Sequence, residues 1–213
     1  MNFSKENMLL YAVTDRAWTG TQTLYEQVEA ALKGGVTLVQ LREKNLDYDS
    51  FLKEAIELKA LCSRYNVPLI INDNVDIAIK SGADGIHVGQ KDMEAGDVRA
   101  LVGKDMIIGV TAKTIEQAIA AEKAGANYLG TGAAFGSVTK SDATAISHEA
   151  IQDICKAVSI PVVAIGGIDK FNILKLAGRG IDGVALVSAI FAAEDIEQEC
   201  KELRTLSEKI IHS

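Results

Sequence analysis

Eight short apolar runs recur along the chain, and each is rich in β-branched residues. The runs are continuously apolar and do not alternate with polar residues, which is typical of strands buried on both faces of a parallel sheet. The sequence therefore predicts eight strands, at Leu9–Thr14, Thr37–Leu41, Pro68–Asn72, Gly85–Gly89, Met106–Val110, Tyr128–Gly132, Pro161–Ile165 and Gly183–Val187.

The segments between these runs carry apolar residues at helical spacing. Two of the predicted faces comprise Phe51, Ala55, Leu58 and Cys62, and Ile196, Cys200, Leu203 and Ile210. Polar residues that often cap helices predict helix starts at Asp49, Thr114, Ser147 and Asp195.

Eight β-α units without a linker predict a single (β/α)8 TIM barrel over residues 1–213, with parallel strands. An open, doubly wound sheet is the alternative. That fold usually has fewer units and a glycine-rich turn after its first strand. The first apolar run leads into Thr14-Asp15-Arg16, which contains no glycine, so the pattern favours the barrel.

Composition narrows the functional class. The formal net charge is −7, so nucleic-acid binding is not expected and the basic residues must act locally. No run of about 18 apolar residues is present to span a membrane, and residues 1–8 lack an apolar signal core. Cys62, Cys155 and Cys200 are widely spaced and are expected to be reduced, buried thiols of a cytoplasmic protein.

Two consecutive predicted strands run into carboxylates, Asp73 and Asp92. The carboxyl ends of barrel strands form the active-site rim. Oxygen ligands from one or two carboxylates suit Mg²⁺, which keeps several waters and bridges to substrate phosphates. The alternative is that Asn72 or Asp73 caps a helix beginning at Val75, and that Asp92 caps the next helix.

The second strand ends in Gln40, Arg42 and Lys44, which a period of two places on one face. Arginine offers a planar fork to phosphate oxygens and lysine a point charge. The alternative is a solvated strand end with a local Arg–Glu pair. His87 lies within an apolar strand and is expected to be a hydrogen-bonded core residue outside the site.

Two further segments predict phosphate binding. The longest connection, 135–145, contains Ser137, Thr139 and Lys140, which can cradle a phosphate with backbone N–H groups; a solvated loop is the alternative. Gly167 and Ser188 follow the seventh and eighth strands, the common phosphate site of these barrels. The alternative is that the glycine after the seventh strand only makes a tight turn and binds no phosphate.

Several of these motifs together resemble the thiamine phosphate synthase family over about Leu9 to Phe191. The segments that carry the resemblance are Tyr11–Asp15, Gln40–Lys44, Ile71–Asp73, Gly85–Asp92, Thr139-Lys140, Ile165–Ile168 and Val187-Ser188. It implies a (β/α)8 barrel that joins a pyrimidine methyl pyrophosphate to a thiazole phosphate, or its carboxylated form, and releases pyrophosphate. Small phosphorylated substrates and Mg²⁺ are the expected partners, and a homo-oligomer is left open.

The resemblance also implies a role for each matching residue. The pyrimidine pyrophosphate would be held by Gln40, Arg42, Lys44, Asn72, Thr111 and Lys140. The catalytic groups would be Arg42, Lys44, Thr111 and Lys140, and Asp73 and Asp92 would hold Mg²⁺. The thiazole phosphate would be held by Ser137, Val138, Thr139, Gly167, Val187 and Ser188. Thr111 and Ser137 replace the usual Ser and Thr of the family, and the segment 132–136 lacks its usual prolines.

Three other functions compete with this one. A paralogue of the same fold aromatises the thiazole and typically carries an acid–base histidine where this chain has Ala133. A non-catalytic barrel that binds phosphorylated ligands is the second, and a phosphosugar enzyme that uses only the Gly167 and Ser188 site is the third. Neither the paralogue nor the phosphosugar enzyme would need Asp73 and Asp92.

Overall fold

The computed structural model of the protein describes residues 3–89, 95–136 and 145–212. Eight parallel strands close into a barrel in chain order, and the last pairs with the first. The strands are β1 (Leu10–Val13), β2 (Leu38–Leu41), β3 (Leu69–Asn72), β4 (Gly85–Val88), β5 (Ile107–Thr111), β6 (Tyr128–Gly132), β7 (Val162–Ile165) and β8 (Gly183–Leu186). Each agrees with a predicted run to within one residue, so the (β/α)8 prediction is confirmed.

Helices connect the strands on the outside of the barrel. In the described residues they are α1 (Leu24–Lys33), α2 (Tyr48–Arg64), α3 (Val75–Lys80), α4 (Ala95–Val102), α5 (Ile115–Lys123), α6 (His148–Ala157), α7 (Ser188–Phe191) and α8 (Ile196–Ile211). Between β7 and β8 a 3₁₀ helix, Ile173–Leu176, takes the place of an α-helix. Over the same parts of the chain, no helix is long and apolar enough to cross a membrane.

Most predicted helix starts are correct. Thr114, Ser147 and Asp195 each accept a backbone N–H of the first turn. The start predicted at Asp49 is wrong, because Asp47 is the extended residue before α2 and its carboxylate accepts the Ser50 N–H at 3.0 Å. Asp49 lies inside the first turn, where an acidic residue is also favourable.

The predicted apolar faces of α2 and α8 are buried against the outer surface of the barrel. All three cysteines are free thiols, and Cys62 and Cys200 are buried. The expectation of burial is wrong for Cys155, which is half-buried because it follows Ile154 at the edge of the buried face of α6. Burial still raises the pKa of the Cys155 thiol to about 12.

A second cluster fills the interior of the barrel, around Tyr11 and Tyr128. Their rings meet edge to face with centroids 5.9 Å apart, and Phe3 lies 5.8 Å from the Tyr128 ring. Space for the Tyr128 ring is left by Gly109, its Cα partner on β5. The interior is therefore closely packed and carries two phenol hydroxyls.

Replacing Gly109 with Ala should destabilise the fold, because its Cβ would lie 2.1 Å from Cζ of Tyr128. Overpacking a dense core typically costs about 1–3 kcal/mol. Urea unfolding of both proteins measures the difference. Gly96→Ala is the matched control, since no atom of the described residues lies within 4 Å of that Cβ and alanine favours the helix by up to about 1 kcal/mol. Equal stability of the two variants would contradict the packing.

Candidate active site

The basic residues after β2 divide between the two neighbouring strands. Arg42 contacts the end of β1, where its backbone N–H donates to the Thr14 hydroxyl at 3.0 Å and its Nη1 to Asp15 Oδ2 at 3.1 Å. Lys44 contacts the end of β3, with its Nζ 2.6 Å from Asp73 Oδ2. Two cations thus lie on either side of one strand end, each beside a carboxylate.

Glu43 lies between these cations in sequence but pairs with neither. Its carboxylate accepts a hydrogen bond from Arg16 Nε at 2.9 Å, and the side chain is only 3% exposed. Burial raises the pKa of Glu43 to about 7, and the hydrogen bond from Arg16 opposes that rise. The local Arg–Glu pair of the alternative is therefore wrong, because Glu43 pairs with Arg16 after β1, although the Lys44 side chain at this strand end is 48% exposed.

Asp73 follows β3 in the left-handed backbone region, at φ +62°. Few non-glycine residues adopt this conformation, and such strain concentrates at functional sites. The cap of α3 is Asn74, whose Oδ1 accepts the Ile77 N–H at 3.0 Å. The alternative that Asn72 or Asp73 caps this helix is therefore wrong, and Asn72 is instead a buried residue of the strand end.

The one described carboxylate of the predicted metal site, Asp73, is a ligand type that suits a hard divalent cation. Asp73 supplies a carboxylate that is partly exposed and already attracts one cation, Lys44. The second predicted ligand, Asp92, lies outside the described residues. The described residues therefore include one of the two predicted carboxylates, and they hold no cluster of three His, Cys, Asp or Glu that could bind a metal. Carboxylate oxygens of this kind suit Mg²⁺.

Hydrogen-bonded side chains of the barrel interior reach the same edge. Gln40 is 4% exposed, and its Nε2 donates to the Tyr11 hydroxyl. On the other side, His87 lies 2.9 Å from the Thr111 hydroxyl through Nε2 and 3.0 Å from the Tyr128 hydroxyl through Nδ1. The prediction that His87 is hydrogen-bonded is confirmed, but the expectation of a core residue outside the site is wrong, because the side chain is half-buried and contacts the candidate residue Thr111.

Sequence reasoning did not predict a role for Tyr11, Tyr128 or Asp15 at this site. The two tyrosines occupy inward positions of apolar runs, where a phenol looks like any other core residue. Asp15 caps the 3₁₀ helix Arg16–Trp18 with one carboxylate oxygen and holds Arg42 with the other. For the two tyrosines, the sequence offered one signal of a role at the site, namely a hydroxyl group at a strand position that faces the barrel interior.

Strand β6 ends in Gly132, and Ala133 after it is buried. The phosphate-loop residues predicted beyond it, Ser137, Val138, Thr139 and Lys140, lie outside the described residues.

The ends of β7 and β8 carry the second predicted phosphate site. Gly167 has φ +64°, and a Cβ there would lie 2.7 Å from the carbonyl oxygen of Gly136. Glycine is therefore required by the backbone that follows β6. Val187 precedes α7, and Ser188 is the first residue of that helix.

The closed barrel brings the described candidates to one rim. Candidates from β2, β3 and β5 comprise Gln40, Arg42, Lys44, Asn72, Asp73 and Thr111, and those from β7 and β8 comprise Gly167, Val187 and Ser188. The ion pair between Lys44 and Asp73 is a direct contact between two of them. Sequence spacing thus identified side chains that the fold gathers at the carboxyl ends of the strands.

Known proteins resemble this chain over nearly its whole length. It is 50% identical over 200 residues to a thiamine-phosphate synthase of Ruminiclostridium cellulolyticum, covering 94% of this chain and 95% of the relative. It is 47% identical over 207 residues to one of Clostridium botulinum, covering 97% of each. The solved thiamine phosphate pyrophosphorylase of Pyrococcus furiosus matches with a TM-score of 0.90 and 36% identity, covering 97% of this chain and 98% of that one.

A sequence profile describes the family as a whole. The profile of thiamine monophosphate synthase matches residues 10–190, which include all eight strands. Together with relatives that share about half of their residues, this match establishes that the chain belongs to the thiamine monophosphate synthase family.

Proposed function

We propose that this chain is a transferase that joins a pyrimidine methyl pyrophosphate to a thiazole phosphate and releases pyrophosphate. The observation that carries the proposal is the pair of cations on either side of β2, Arg42 beside Asp15 and Lys44 beside Asp73. In a member of this family, these two positive charges would neutralise a bound pyrophosphate.

Arg42 and Lys44 would bind the pyrophosphate and stabilise the charge that grows on it as the C–O bond breaks. Asp15 holds the Arg42 guanidinium in place before substrate arrives, so less ordering is left for the bound state. Lys140 would add a third cation from the long loop.

Asp73, with Asp92, would hold Mg²⁺. When bound, this ion neutralises pyrophosphate oxygens and so improves the leaving group. Lys44 Nζ lies 2.6 Å from Asp73 Oδ2, so this lysine is close to the carboxylate that would hold the ion.

The organic parts of the substrates would bind around the same rim. Gln40, Asn72 and Thr111 would also hold the pyrimidine pyrophosphate, with Thr111 among the catalytic groups. Gly167, Val187 and Ser188 with Ser137, Val138 and Thr139 would hold the thiazole phosphate. Loss of pyrophosphate leaves a pyrimidine methylene cation, and the thiazole nitrogen attacks it. This route needs no protein nucleophile, and it depends on positioning and on exclusion of water.

We further propose a cytoplasmic enzyme whose partners are small phosphorylated substrates, not nucleic acid. The thiazole-aromatising paralogue is less well supported, because Ala133 occupies the position of its acid–base histidine and is buried. The neighbouring His148 is engaged with the backbone carbonyl of Ala134 at 3.2 Å.

Pyrophosphate release tests the proposal directly. We expect release only when the pyrimidine pyrophosphate, the thiazole phosphate and Mg²⁺ are all present, with stoichiometric thiamine phosphate. Binding of both substrates without release would instead support the non-catalytic barrel. If pyrophosphate were released at the same rate without thiazole phosphate, water would be capturing the cation. That result would contradict the proposed positioning.

A further inference from the structure

The turn after β7 is built from two glycines that constrain its backbone very little. Gly166 has φ +97° and Gly167 has φ +64°. Glycine adopts either sign of φ at little steric cost, so Gly167 offers little resistance to rotation of the peptide that joins it to Ile168. Rotation of that peptide would exchange the directions of its carbonyl oxygen and its N–H. The turn therefore needs a partner outside itself to keep one orientation.

Asn172 supplies that partner. Its Nδ2 donates to the Gly167 carbonyl oxygen at 2.8 Å, and its Oδ1 accepts the Asp169 N–H at 2.9 Å. A backbone N–H can only donate and a carbonyl can only accept, so these two partners decide which end of the amide is nitrogen. Both ends of the side chain are engaged, and an ionised aspartate at this position could not donate to Gly167.

The Asn172 side chain does not serve its own helix. Asn172 directly precedes the 3₁₀ helix Ile173–Leu176, where asparagine usually accepts an N–H of the first turn, yet it makes no such cap. The local turn is closed by Asp169, whose Oδ1 accepts the N–H groups of Phe171 at 2.9 Å and Asn172 at 3.0 Å. The first and last residues of the helix are fully buried. The amide is thus directed at the turn after β7 from an anchored segment.

The bond to Asn172 fixes the orientation of one peptide plane. The Gly167–Ile168 peptide is trans, and a planar trans peptide points its N–H opposite to its carbonyl. The Ile168 N–H therefore points away from Asn172. Gly167 is exposed, and within the described segments neither its N–H nor that of Ile168 donates to a backbone carbonyl. With its carbonyl oxygen occupied and two N–H groups available, the turn favours an anion.

We propose that Asn172 is a positioning residue that holds the Gly167–Ile168 peptide, so that the turn offers N–H groups and not a carbonyl oxygen to the phosphate of the thiazole substrate. Asn172 acts through the turn and is remote from the bond that breaks. The phosphate part of this inference rests on the proposed function, whereas the hold on the turn does not.

Steady-state kinetics of two variants test the positioning role. Asn172→Asp keeps an oxygen for the Asp169 N–H but replaces the donor to Gly167 with an acceptor. Asn172→Ala removes both bonds and adds no charge. We expect both variants to raise KM for the thiazole phosphate by about 10-fold, the upper end of what one hydrogen bond contributes. KM for the pyrimidine pyrophosphate and kcat at saturating substrates should be unchanged.

Asp195→Ala is the matched control, because it removes the carboxylate that caps α8 by accepting the Gln198 N–H at 2.9 Å. Loss of a cap should lower stability, and we expect both KM values to stay at the wild-type level. A rise in KM for the thiazole phosphate in this control would attribute the effect to general destabilisation and would overturn the proposal.

Backbone NMR of the ligand-free protein tests the hold on the turn without any substrate. Heteronuclear NOE values report picosecond-to-nanosecond motion of each N–H. We expect the values of Gly167 and Ile168 to fall in both Asn172 variants, whereas those of the buried Ile173 and Leu176 should not change in Asn172→Asp. Unchanged values at Gly167 and Ile168 would mean that Asn172 does not hold this peptide.

The kinetic outcomes separate this proposal from its alternatives. Unchanged KM for the thiazole phosphate in both variants would overturn it, and a rise in Asn172→Asp alone would indicate repulsion by the added charge instead. An equal rise in both KM values would also overturn it, and a melting curve would show whether the fold is damaged. If the NMR result is as expected but the wild-type protein forms no thiamine phosphate, Asn172 still holds the turn and the proposed function fails.

Discussion

Replacing Asp73 with Asn should lower Mg²⁺-dependent activity by at least about 100-fold at limiting metal. Loss of groups that merely support a metal ligand costs 10- to 100-fold in affinity or activity, and Asp73 is a proposed ligand itself. Asparagine tolerates the left-handed backbone found at this position, φ +62°, about as well as aspartate does. The substitution thus removes charge while it preserves the backbone.

The rate measured against Mg²⁺ concentration checks this expectation. Asp76→Asn is the matched control, because Asp76 is an exposed carboxylate three residues further on that pairs with Lys80 at 3.0 Å. We expect the control to keep the wild-type rate at every metal concentration. Full activity of Asp73→Asn at limiting Mg²⁺ would show that this carboxylate is not a ligand.

Replacing Arg42 with Ala should reduce kcat by about 10²–10³-fold, the loss seen when one group that stabilises transition-state charge is removed. KM should rise much less, because charge on the leaving pyrophosphate is greatest in the transition state. The fold should tolerate the change, since Asp15 remains held by the Ala17 N–H at 3.0 Å.

Steady-state kinetics with saturating thiazole phosphate separate the two constants. Arg42→Lys should recover part of kcat, because it keeps the charge and loses only the planar fork that contacts Asp15. Arg64→Ala is the matched control on the outer surface, where Arg64 contacts Tyr25 and Glu29. An increase in KM alone for Arg42→Ala would indicate ground-state binding and argue against a role in leaving-group departure.

Local sequence patterns predicted much of the fold, because they reflect interactions within one element or between an element and the core. The β-branched runs mark all eight strands to within one residue, since a strand buried on both faces must be apolar throughout. The apolar faces of α2 and α8 and three of four helix caps follow in the same way. Asp47 and Asn74 were missed as caps because another polar residue nearby satisfies the same local rule.

Those candidate residues that directly follow a strand could be predicted from the sequence. A parallel barrel brings those ends to one rim whatever its details, so Arg42, Lys44, Asp73 and Gly167 could be named from their positions in the chain. Their partners could not be named in this way. Arg42 contacts β1 and Lys44 contacts β3, although both leave the same strand.

The amino-acid sequence by itself determined the strands, the helical faces and the residue types at the rim. Tertiary structure alone decided which of these side chains meet. Tyr11 and Tyr128 are 117 residues apart and share a hydrogen bond only because closure and register of the barrel point both into one interior. Periodicity reports which face of an element is buried, but a hydrogen bond across the barrel depends on the angle and register of several strands at once, and these are set by packing of the whole chain.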